Sequence, residues 1–194
     1  MKSFKSSTFL FLLFQAIILI NHQVRSDDED NLLQGMNKYR ASLNLTALTK
    51  NDNAACLAEQ IADQYKDQPC TNTTGSNTVP GTENNFASYP EFLSHCHLNI
   101  TNTRDGQIMP ACVPDLDPSL VLMNFTKSQY SGNLNDSTYS GAGIASEGNW
   151  IVVVLTTNSS SGSFETYEGS TGFIYSPNKL YHFIMFLLAC VFLL

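Results

Sequence analysis

The stretch "HCHLN" sets His95 and His97 on either side of Cys96. Imidazole and thiolate are zinc ligands, but a finger-type site needs a second ligand pair at fixed spacing. None follows, so no metal and no cofactor are expected. These two are also the only histidines between residues 27 and 170, so a Ser–His–acid triad would have to be built on one of them. No Gly-x-Ser-x-Gly elbow exists to expose a serine nucleophile. Asp115 and Asp117 are a second pair of interest, because paired carboxylates cleave glycosides. They sit in "VPDLDPSL", where acids between prolines fit a turn better than a catalytic pair. Cys56, Cys70, Cys96 and Cys112 are even in number, which in a secreted chain implies two disulfides with three possible pairings. Oxidised cysteines are not nucleophiles. No catalytic residue is therefore assigned, and a non-enzyme is expected.

The secreted context comes from the two apolar segments. Met1-Lys2, Lys5 and the apolar run from Phe9 to Ile20 have the form of a signal peptide, with cleavage expected after Ser26. The run Leu180–Leu194 is almost wholly apolar. As a helix it would span about 22 Å, short of the roughly 30 Å of a bilayer core. Small residues at Gly169-Ser170, a polar spacer from Thr171 to Lys179 and an apolar tail together read as a glycosylphosphatidylinositol (GPI) signal. The lipid is expected on Ser170, with Gly169 as the alternative. The chain then divides into a signal peptide (1–26), an extracellular domain (27–157), a Ser/Gly-rich stalk (158–170) and a removed propeptide (171–194). Processing removes Lys2, Lys5, Arg25 and Lys179, leaving six basic residues against all 17 acidic ones, a formal charge of −11. That sign argues against nucleic acid as a partner.

N-x-Ser/Thr triplets begin at Asn44, Asn72, Asn99, Asn124, Asn135 and Asn158, against about three by chance at this composition. N-glycosylation is expected at all six, with Asn124 in "LVLMNFT" the most buried in pattern.

About 144 residues suit one domain with a real core. Leu32, Leu33, Met36, Tyr39 and Arg40 recur at helical spacing behind the acids of "DDED", which complement a helix dipole. A second helix is predicted from about Asn51 to Tyr65, with Ala54, Leu57, Ala58, Ile61, Ala62 and Tyr65 on one face and Thr49 or Asn51 as its cap. "YPEFLSHCHLNI" holds a short helix, "MPACVPDLDPSL" reads as loop, and "SLVLMNFTKSQY" as helix. "SGAGIASEGNWIVVVLTTN" predicts a hairpin with strands around 143–145 and 150–156. Its Ile151–Leu155 run has little alternation, so both its faces are expected to be buried.

The helix pair "LLQGMNKYRASLNLTALTKNDNAACLAEQIADQY", with Asn37, Arg40, Leu48 and the alanines 54–62, resembles the opening of CAP-superfamily domains (cysteine-rich secretory proteins, antigen 5, pathogenesis-related 1). The hairpin sequence is similar to the late CAP hairpin. With its two sorting signals, the whole resembles the plant family of GPI-anchored glycoproteins. The resemblance implies an α+β fold, a CAP-like α-β-α sandwich in a single small disulfide-bonded domain. CAP domains often carry two His and two Glu about a central cavity. Here Gln129 in "KSQYSGN" stands where one His is expected, and "GTENN" supplies Glu83, so Glu83 alone carries over as a ligand-site candidate. Asn37 and Arg40 are expected to cap the helix end and anchor the loop after it. The association of CAP-like domains with small lipids and sterols implies a non-catalytic binding module on the outer leaflet of the plasma membrane. A cavity lined by residues such as Phe86, Tyr89, Phe92 and Leu93 would support that reading, although ordinary core is the expected role of these four side chains. The alternatives are a structural or co-receptor glycoprotein that meets wall polymers, such as pectin through calcium, or a receptor, and a hydrolase with a rebuilt site.

Overall fold

The computed structural model describes residues 28–69 and 88–166. The two sorting signals, Cys70, Asn72, Glu83, Phe86, Gly169 and Ser170 lie outside the described residues. Helix α1 covers 28–42, and its stripe of Leu32, Met36 and Arg40 is buried. After a two-residue strand, β1 (Thr49–Lys50), Asn51 caps α2 (Asp52–Tyr65) by accepting from the Ala54 N–H at 2.9 Å. Helices α3 (Tyr89–His95) and α4 (Ile100–Thr103) follow, then β2 (Gln107–Cys112), α5 (Pro118–Thr126), α6 (Ser131–Leu134), β3 (Tyr139–Glu147) and β4 (Trp150–Thr157).

The four strands form one sheet in the order β1-β3-β4-β2, with β1 parallel to β3 and the other pairs antiparallel. Strand β4 is interior, and alternate residues feed two separate cores. Ile151, Val153 and Leu155 pack with α1, α5 and α6, while Val152 and Val154 pack with α2 and α3. That is why Ile151–Leu155 lacks alternation: each side chain meets a helical layer. The result is an α-β-α sandwich. The β3–β4 turn places Gly148 in the left-handed region (φ 59°), as a two-residue hairpin turn demands. Gly143 has a different reason. A Cβ there would lie 2.0 Å from the Ala55 backbone nitrogen, so α2 rests directly on β3.

Two segments differ from the sequence reading. "MPAC", expected as loop, is the body of β2, with Pro110 opposite Val152. Among the described residues the strand lies at the sheet edge and pairs only with β4, so a residue without an N–H is tolerated there. Pro110 still uses its carbonyl, which accepts from the buried Tyr130 hydroxyl at 2.5 Å. The first residues of the expected stalk, 158–164, also differ from that expectation. Phe164 is fully buried in the α2-side core. Its flanks are held by bonds from Asn51 Nδ2 to the Ser163 carbonyl (3.0 Å) and from Asn53 Nδ2 to the Phe164 carbonyl (2.8 Å). Residues 158–164 therefore belong to the domain.

A disulfide joins Cys56 of α2 to Cys96 beyond α3, 40 residues apart. Closing a loop of that length stabilises by about 4 kcal/mol in the chain-entropy account. Cys112 is also disulfide-bonded.

Candidate functional site

The residues that first suggested chemistry have structural work. His97 adopts the left-handed conformation (φ 55°) just past α3. Its N–H donates to the Ser94 carbonyl at 3.2 Å, and the Leu98 N–H donates to the Leu93 carbonyl at 2.8 Å. This pair of bonds, with Leu93 and Leu98 buried in one cluster, is the Schellman ending of a helix. "HCHLN" is thus a helix stop with a disulfide cysteine inside it, and both histidines are exposed. Asp117 caps α5 by accepting from the Ser119 and Leu120 N–H groups at 3.0 and 2.9 Å. Asp115 lies in the turn before it, where its N–H donates to Asn149 Oδ1. Gln129 is exposed. Among the described residues, no group of three or more His, Cys, Asp or Glu is arranged to hold a metal ion.

Asn37 and Arg40 anchor the loop after α1. Asn37 exchanges two bonds with the Leu48 backbone, Nδ2 to carbonyl at 2.9 Å and N–H to Oδ1 at 2.7 Å. Arg40, fully buried, donates to the carbonyls of Thr46, Leu134, Asp136 and Tyr139 at 2.8–3.0 Å. One guanidinium thus joins the end of α1, its following loop, α6 and the start of β3.

Three of the four side chains weighed as a cavity wall are described, and they are core, as expected of them. Tyr89 and Leu93 are buried in the α2-side core, with Phe92 packed against it. A groove of about 430 Å³ opens instead on the opposite layer, between α1 and α5. Leu32, Leu116, Val121, Leu122 and Ile151 make its apolar wall, and Asn31, Gln34, Lys38 and Ser119 bring polar groups to it. Gly35 lets α1 lie against α5: a Cβ there would come within 2.9 Å of Leu122 Cδ1. Leu116 reaches the groove from a left-handed backbone (φ 48°), an uncommon conformation for a leucine. No short motif announces such a site, because its walls come from residues 28–38, 116–122 and 146–151.

One titratable group stands behind the groove. Ser146, which lines it, donates to Glu29 Oε1 from its N–H at 3.1 Å and its hydroxyl at 3.4 Å. Burial pushes the Glu29 carboxyl up to about 7 despite the opposing effect of those bonds and of Lys50.

Comparison with known proteins adds family and fold. The family model described as "Uncharacterized GPI-anchored protein At5g19230-like domain" matches residues 29–155. The "Uncharacterized GPI-anchored protein At3g06035" of Arabidopsis thaliana is 55% identical over 191 residues, spanning 94% of this chain and 96% of that protein. An extracellular protein containing an SCP domain, from Bacillus anthracis, shares the fold with a TM-score of 0.53 at 14% identity over 69% of this chain. This chain spans 41% of that structure's length. A cysteine-rich secretory protein from Staphylococcus aureus gives a TM-score of 0.49 at 13% identity, over 68% of this chain and 38% of that one.

Proposed function

We propose that this chain, which belongs to the At5g19230-like family of GPI-anchored proteins, is a non-catalytic module that binds a small lipid at the outer face of the plasma membrane. The family places the protein at that membrane face through its lipid anchor. Ser170, or Gly169, is the proposed attachment point, with 1–26 and 171–194 removed as sorting signals.

The observation that carries the binding reading is the α1–α5 groove. Its volume of about 430 Å³ lies in the range of small-molecule sites, roughly 300–1,000 Å³. An apolar wall with polar groups at its margin suits an amphiphile, a hydrocarbon chain or sterol body with one polar end. Lys38 is the cation placed to meet a carboxylate or hydroxyl head. Nothing is asked of His95 or His97, which lie on the other helical layer.

A lipid bound in this groove should survive purification of the folded protein and appear on organic extraction. Ser119→Trp, at an exposed position on the groove's margin, narrows the groove and should abolish retention without unfolding the domain. Equal lipid recovery from wild type and Ser119→Trp would place the ligand elsewhere.

A further inference from the structure

The described asparagines differ in what their side-chain nitrogen does: outside N-x-Ser/Thr triplets five donate through it, and Asn31 and Asn149 do not. Asn37, Asn51, Asn53, Asn102 and Asn133 each donate a hydrogen bond through Nδ2 to the protein, and none of them begins an N-x-Ser/Thr triplet. Asn44, Asn99, Asn124, Asn135 and Asn158 do begin one. Among the described residues none of these five donates through Nδ2. Where Asn99 and Asn158 are engaged, Oδ1 accepts. N-linked glycosylation replaces an Nδ2 hydrogen and leaves Oδ1 in place, so the fold keeps free the atom that the sugar uses.

One of the five sits on an otherwise unexplained patch. Leu120 and Met123 of α5 are 51% and 45% exposed. They border a second groove, of about 400 Å³, with Val113, Pro114, Asn124 and the stem of Lys127. Helical side chains lean toward the N-terminus, so the Asn124 side chain lies over the turn that carries Leu120. We propose that Asn124 carries an N-linked oligosaccharide whose first sugar covers Leu120 and Met123. The C–H face of a pyranose ring removes apolar surface from water, at roughly 25 cal/mol per Å², while its hydroxyls stay hydrated. Another protein chain docking on this patch would meet Asn124 in its midst. The proposal rests on the secretory route of an anchored protein and is independent of what the α1–α5 groove binds.

The test expresses the full chain in a glycosylating secretory host and maps each triplet by peptide mass before and after enzymatic deglycosylation. Dye binding to apolar surface and sedimentation are then compared for wild type, Asn124→Gln and Asn135→Gln. The expected result is an occupied Asn124. Its Gln variant should bind several-fold more dye or self-associate, and Asn135→Gln should match wild type. Adding Leu120→Gln and Met123→Gln to Asn124→Gln should restore wild-type behaviour. If Asn124→Gln does not fold, enzymatic removal of the sugar from folded wild type gives the same reading. An unmodified Asn124 beside other occupied triplets would overturn the proposal. So would an Asn124→Gln protein indistinguishable from Asn135→Gln. A chain with no occupied triplet would overturn the secretory premise itself.

Discussion

Arg40 satisfies four backbone carbonyls with one side chain. Replacing it with methionine keeps most of its volume and leaves those carbonyls without a donor. The expected loss is about 3–5 kcal/mol, read as a lower urea midpoint, with Arg40→Lys in between because an ammonium cannot span the same four acceptors. Glu29 gives a prediction in pH. Its folded carboxyl titrates near 7, above the ordinary value of 4.5. The folded state therefore holds this proton more firmly than the unfolded chain. Its contribution to stability is full below pH 4.5 and declines as pH rises toward 7. Allowing for the water that reaches this half-buried group, the decline is about 1–2 kcal/mol. Glu29→Gln should remove that part of the pH dependence in denaturant titrations between pH 4 and 8. An unchanged slope would show that Glu29 ionises freely in the folded domain.

At the level of elements, the domain depends on two close approaches. Gly143→Ala drives a methyl into the α2 backbone, where no side-chain movement can relieve it, and should cost about 3 kcal/mol or more. Phe164→Ala empties a filled site in the α2-side core and should cost about 3–5 kcal/mol. Both effects are measurable as shifts in thermal unfolding, and a chain cut after Thr157 should show the loss of Phe164 in full. Helix α2 was legible because periodicity and an Asn51 cap agree along one segment. The β3–β4 hairpin was legible from its turn and its continuous apolar strand. Strand β2 was not, because Pro110 is a loop signal unless the strand is known to lie at an edge. Phe164 was hidden in a Ser/Gly-rich run that also holds Tyr167, and nothing local marks which aromatic is docked.

At the scale of the whole molecule, the sequence was clear about address and indirect about the site. Sorting signals are contiguous and compositional, so they read directly, and the family match agrees with the anchored class. The loop-anchoring work of Asn37 and Arg40 was also legible, since both belong to one local motif. The groove was not: Leu32, Leu122 and Ile151 become neighbours only when α1 and α5 cover the same face of the sheet. Tyr89 and Leu93 look equally suited to line a cavity, yet they fill the other core. The most direct test of a lipid-binding groove is titration of the folded, glycosylated protein with a fluorescent fatty acid and a fluorescent sterol, beside Ser119→Trp. Saturable binding of one ligand, lost in Ser119→Trp while its thermal unfolding remains cooperative, is the predicted result. No saturable binding, or equal binding by both proteins, would contradict it.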